Sequence, residues 1–114
     1  MRSATGDLLQ GTLGILILKA LLAGPAHGYA VARWVEESTE DVLRIEEGSL
    51  YPALRRLEDR GWVESEWGLS ENNRRARFYS ITSTGRAHLR AEARVWMRYA
   101  TAVTRVLQAA PSLA

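Results

Sequence analysis

The sequence predicts a mainly α fold with a small β-wing: a winged helix-turn-helix followed by one long C-terminal helix. Three observations carry that expectation. The run GSLYPALRRLEDRGWV (48–63) puts Leu50, Leu54 and Leu57 on one face at helical spacing, while Arg55, Arg56 and Arg60 project elsewhere. Two strand-like runs, about 62–67 and 75–82, flank a linker, GLSENN, whose residues accept turn dihedrals. The segment from 83 to about 108 then reads as a single amphipathic helix.

Taken in order, residues 1–6 are expected to fray. Residues 8–22 are apolar almost all round, the pattern of a buried helix, and Gly24-Pro25 stops it. A second helix is expected over about 28–38, with Tyr29, Val31, Trp34 and Val35 available for packing. The acidic stretch 36–44 is read as a turn region leading to Ile45. The third helix has Gly48 and Ser49 as cap candidates, Pro52 in a first turn where its missing N–H costs nothing, and Gly61 as its stop. Trp62 and Trp67 are expected to pack the wing on the core. Alternation places Arg75, Arg77, Tyr79 and Ile81 on one face of the second strand, and Thr82 caps the last helix.

A chain of 114 residues forms one small core rather than two. The absence of cysteine excludes disulfides, zinc–thiolate sites and thiol catalysis. The longest apolar stretch, 13–23, is interrupted by Gly14 and Lys19 and is too short to span a bilayer. With no signal-peptide pattern at 1–10, a cytoplasmic protein is expected. The net charge of +2 hides an asymmetry. Residues 36–47 hold six acids against Arg44, whereas 74–105 hold eight arginines against Glu92. Such segregation marks a basic face suited to a polyanion.

Along the last helix, at about 100° per residue, Leu89, Trp96, Tyr99, Ala100, Val103, Val106 and Leu107 fall within roughly 140° of arc. Arg86, Arg90, Arg94, Arg98 and Arg105 occupy the other side, as a solvated row or one facing the acidic stretch of a partner. So small a domain cannot cover that apolar stripe alone, and Leu89, Trp96, Val103 and Ala110 repeat at seven. A symmetric dimer is the economical solution, with Leu89, Trp96, Tyr99, Val103 and Leu107 at its interface. Residues 1–82 are then expected to form the winged helix-turn-helix domain, on which a basic face suits a polyanion such as DNA, and 83–110 the dimerisation helix.

Four motifs now fall in order: LLQGTLGILILKALL (8–22), HGYAVAR (27–33), GSLYPALRRLEDRGWV (48–63), and SEW followed by RRARFYSITSTGR (65–86). Together they resemble the PadR family of bacterial transcriptional regulators, in its compact form with a single C-terminal helix. The resemblance implies a homodimer that binds a palindromic operator in double-stranded DNA and represses transcription, released by a small-molecule effector. Gly14 and Ser83 stand where the family often has Asp and Pro; neither lies on the third helix.

The residues assigned to DNA contact are Ser49, Tyr51, Arg55 and Arg56 on the third helix and Asn73, Arg74 and Arg75 on the wing. A recognition helix puts its N-terminal turn in the major groove, and an Arg such as Arg55 spans two acceptors on guanine. The alternatives are capping for Ser49, packing on the second helix for Tyr51, surface pairs with Glu58 and Asp59 for Arg56 and Arg60, and a sheet-lining role for Arg75 and Arg77. Trp96, in the middle of the dimer helix, would meet its symmetry mate; two indoles sandwich a flat aromatic effector, or else fill a packed seam. His27 reads as a partner of nearby backbone groups. No catalytic residue, metal ligand or cofactor site is expected, since the chain lacks a nucleophile elbow, a phosphate loop and any clustered ligand set. The competing function is a winged helix that docks proteins without binding an operator, which the basic wing disfavours.

Overall fold

The structure is a computed structural model and describes residues 4–113. Helix α1 spans Ala4–Ala20 and continues into a 3-10 turn, Leu21–Ala23, that Gly24 ends at φ 139°. Strand β1 is Ala26–His27, followed by α2 (Gly28–Ser38), α3 (Glu47–Asp59), β2 (Val63–Leu69), β3 (Arg75–Ile81) and α4 (Ser83–Gln108). The order is that of a winged helix-turn-helix with a long terminal helix, as the periodicities predict. Helix α1 begins at Ala4, earlier than the expected Leu8, so the expected fraying fails for residues 4–6; residues 1–3 lie outside the described ones.

Each helix contributes one apolar face to a common core. Leu13, Ile17, Leu18 and Leu21 from the first helical segment meet Val31 and Val35 of α2 and Leu50, Leu54 and Leu57 of α3. Val63, Tyr79 and Leu89 close the core from the wing and α4. Burial of the segment expected as the first helix is less complete than its composition suggests, since Ile15 and Leu16 of α1 are only partly covered and Leu22, in the 3-10 turn, is exposed. On α2, Tyr29 and Trp34 point outward, and Ala32 takes the packing position expected of them.

The sheet has the order β1-β3-β2, all antiparallel. Its third strand, β1, is two residues long and pairs Ala26 with Tyr79 and His27 with Phe78. Sequence periodicity gives no sign of it, because its existence depends on the partner alone. His27 acts as the sequence suggests: its Nδ1 accepts from the Ala30 N–H at 3.2 Å and caps α2. The acidic turn is held by Glu36, whose Oε2 accepts from the Ile45 N–H at 3.0 Å.

Helix α3 starts earlier than its cap candidates imply. Glu46 is the N-cap residue, without a side-chain bond, and Ser49 is the third residue inside the helix. Pro52 therefore lies in the second turn, where its ring nitrogen cannot donate to the Gly48 carbonyl. At the other end the Gly61 and Trp62 N–H groups donate to the Glu58 and Leu57 carbonyls at 2.9 and 3.0 Å. This is a Schellman closure, and it needs the left-handed φ of 76° that Gly61 adopts.

One corner joins the end of α3 to the start of α4. Thr82 Oγ1 donates to the Gly61 carbonyl at 2.7 Å and accepts the Gly85 N–H at 3.0 Å, while the Thr82 N–H donates to the Trp62 carbonyl at 3.0 Å. The Trp62 ring stacks on His88 with centroids 3.5 Å apart and planes within 10°. Leu89, expected at a dimer seam, is instead taken up by the protomer's own core at 7 % exposure.

Candidate nucleic-acid interface

The amphipathic pattern of α3 decides what it presents. With Leu50, Ala53, Leu54 and Leu57 buried, Tyr51, Pro52, Arg55, Arg56, Asp59 and Arg60 form its outer face. Ser49 is half-buried at the edge of that face. The first turn also carries Glu47, whose charge suits the helix dipole.

Tyr51 packs on the second helix, one of the two roles expected of it. A Cβ added to Gly28 would stand 3.1–3.2 Å from the ring edge and hydroxyl, so the phenol lies directly against the start of α2. It is still 46 % exposed, so part of the side chain remains open to solvent. Beside it, burial pushes the Tyr79 phenol above the usual tyrosine pKa; Arg77 opposes the shift, and Glu58 and Tyr51 add to it.

The wing turns through 70–74. The Ser70 N–H donates to the Arg74 carbonyl at 2.8 Å, and Asn73 takes a left-handed φ of 57°, which asparagine tolerates well. Asn73, Arg74 and Arg75 are all exposed around this turn. Arg77 is different. Its Nε donates to Ser65 Oγ at 2.8 Å, Ser65 Oγ donates to Glu58 Oε2 at 2.6 Å, and the Arg77 guanidinium lies 3.8 Å from the same carboxylate. This chain ties the wing to α3, so Arg77 lines the sheet and Glu58 is not a partner for Arg56 or Arg60. Arg60 lies over the Trp62 ring instead, 5.3 Å from its centroid.

Between the wing and α2 runs an open groove of about 950 Å³, lined by His27, Tyr29, Arg33, Tyr51, Trp67 and Arg75 among others. A second hollow, about 680 Å³, lies between α3 and the sheet and includes Tyr51, Arg55 and Arg77. The structure thus brings Tyr51, Arg55, Arg74 and Arg75 to the two hollows flanking the third helix. Trp67, expected to pack the wing on the core, is 55 % exposed and lines the groove. Sequence alone misses this because the two strands run to Leu69 and from Arg75, which pairs Trp67 with Arg77 beyond the edge of the core.

On α4 the stripe beyond Ala93 is open. Tyr99, Val106 and Leu107 are each more than 60 % exposed, with Trp96 at 43 % and Val103 at 38 %; Val95 and Met97, outside the stripe on either side, are exposed as well. Arg86, Arg90, Arg94 and Arg98 are exposed along the other side. No helix among the described residues is long and apolar enough to cross a membrane.

Comparison with known proteins agrees with this architecture. The model of the PadR-like family of transcriptional regulators matches residues 17–91, about two thirds of the chain. A PadR family transcriptional regulator from Eggerthella lenta is 32 % identical, with a TM-score of 0.76 over 91 % of this chain and 88 % of that one. A transcriptional regulator from Clostridium thermocellum is 27 % identical, with a TM-score of 0.78 over 87 % and 96 %. A PadR-like regulator from Bacillus cereus is 25 % identical, with a TM-score of 0.77 over 91 % and 99 %. With its capped arginine-bearing helix, its basic wing and its projecting terminal helix, the chain belongs to the PadR-like family of DNA-binding transcriptional regulators.

Proposed function

We propose that the protein acts in the cytoplasm as a homodimeric repressor that binds a palindromic operator. Each protomer would read one half-site with Ser49, Tyr51, Arg55 and Arg56, while Asn73, Arg74 and Arg75 hold the flanking backbone. The reading rests chiefly on one observation: the open apolar stripe of α4 on a chain that also carries a basic reading surface. The chain exposes 8588 Å², against about 6,200 Å² for a compact monomer of its mass. Its radius of gyration is 16.4 Å, against about 13 Å for a compact domain of this length. Both excesses fit a protomer whose terminal helix, Ser83–Gln108, pairs with a copy through Trp96, Tyr99, Val103 and Leu107. Two-fold symmetry then asks for two inverted half-sites about 34 Å, or a multiple, apart.

Footprinting and gel shift on the chain's own upstream region, at stated salt with excess competitor DNA, test this. An inverted-repeat footprint occupied by two protomers is expected. Binding that competitor abolishes entirely would instead favour a protein-docking module. For the effector, half-exposed Trp96 on the seam supports a flat aromatic ligand held between two indoles. Planar aromatics should quench tryptophan emission in the wild type but not in Trp96→Ala, and an unchanged quench would leave Trp96 as seam packing only.

A further inference from the structure

Trp67 spends little of its surface on the core, yet two guanidinium groups converge on it. The Arg75 guanidinium carbon lies 4.5 Å from the ring centroid and that of Arg77 lies 5.4 Å from it. Register explains the convergence: Trp67 faces Arg77 directly across the ladder, and Arg75 is the diagonal neighbour on the same face. Two like charges held on one ring repel each other. Arg77 is compensated by Glu58, whereas no carboxylate pairs with Arg75 among the described residues. Arg75 is therefore a cation held in place without a counter-charge, on the wall of the groove between the wing and α2.

A guanidinium held over a ring face keeps N–H groups that are not turned to the ring, and a pair of them can grip a phosphate with two bonds. We propose that Trp67 is the positioning residue of the wing: its indole holds the Arg75 guanidinium over its face beside the groove, ready to receive one phosphate of the bound duplex. A free arginine must give up its rotamer freedom when it meets a phosphate; a stacked one has already done so. The proposal deepens the DNA-binding reading and rests on it.

Fluorescence anisotropy of the full chain with a labelled duplex from its upstream region, across a range of salt, separates the two ideas through a double-mutant cycle. Trp67→Leu should weaken binding roughly two- to fivefold, the size of an exposed cation–π contact. Trp67→Phe, which keeps a π face, should restore most of that loss. In an Arg75→Ala background Trp67→Leu should weaken binding no further. Wild-type affinity in Trp67→Leu, no rescue by Trp67→Phe, or an undiminished loss in the Arg75→Ala background would each overturn the positioning role. The last outcome also captures a variant that simply folds poorly. A wild type that binds no duplex at any salt would overturn the DNA-binding reading itself.

Discussion

Replacing Gly85 by alanine tests the corner that joins the third helix to the fourth. An alanine Cβ there would stand 2.1 Å from the Trp62 carbonyl oxygen and 2.9 Å from Ile81 Cγ1. The first contact is with backbone and cannot be relieved by a rotamer change. The start of α4 must instead move by more than 1 Å to reach ordinary contact. That shift strains the Thr82 N–H bond to the same oxygen and the Trp62–His88 stack. Overpacking of this kind costs about 1–3 kcal/mol, and a weakened hydrogen bond adds about 1 kcal/mol. Against a total stability of roughly 5–15 kcal/mol, a loss of about 3 kcal/mol should lower the melting temperature by roughly 10–20 °C. Gly14→Ala is the matched control: its Cβ would meet only Leu57 Cδ2, at an ordinary 3.6 Å, inside helix α1. It should raise stability by about 0.5–1 kcal/mol, as removing a mid-helix glycine does. Melts followed by circular dichroism at one fixed protein concentration compare the three chains. A Gly85→Ala protein that melts within about 2 °C of wild type would show that the corner yields freely and refute the reasoning.

Arg74→Ala should weaken binding to all DNA sequences about equally and flatten the salt slope by roughly one unit, checked by titrations at several salt concentrations. Leu107→Asp changes a side chain that is 79 % exposed in the protomer, so its fold should hold while sedimentation shows dissociation to monomers. An intact dimer would move the interface elsewhere. Tyr79→Phe should alter the alkaline limb of stability. Burial raises the folded-state pKa, so the stability of the neutral phenol is fully present below about pH 10 and lost as pH rises through the higher folded value. In urea unfolding above that pH, the variant should lose stability less steeply than wild type, by up to about 1.4 kcal/mol per pH unit.

Helices were the legible part of this chain because their signal is local. The second helix runs from Gly28 to Ser38 as its spacing predicts, and Thr82 caps α4 as expected. What escaped depends on partners distant in sequence. Strand β1 exists only because Phe78 and Tyr79 offer it an edge. The place of Trp67 follows from the register of the hairpin, which one residue more or less in the turn would invert. Leu89 shares its stripe with Trp96, and only the position of α1 and the wing decides that the first is core and the second is surface. At the candidate interface the arginines of α3 and the wing tip were readable as charge, but the pairing of Arg77 with Glu58 through Ser65 was not, since it joins a helix to a strand.

The two-residue strand β1 has a mechanical consequence. It bonds to β3 at Phe78 and Tyr79, so on that side the base of the wing is stitched to the start of α2. Beyond those residues, from Trp67 round to Arg77, the wing is a two-stranded ribbon, and such ribbons are only marginally rigid on their own. The hairpin is thus a cantilever: clamped at its root, free to flex at its end. On the proposed mode of DNA binding, flexing at the tip would let it follow the local width of a duplex groove, while the clamped root would keep the third helix from moving with it. Conformity to DNA shape and constancy of base reading would in this way fall to different lengths of the same pair of strands.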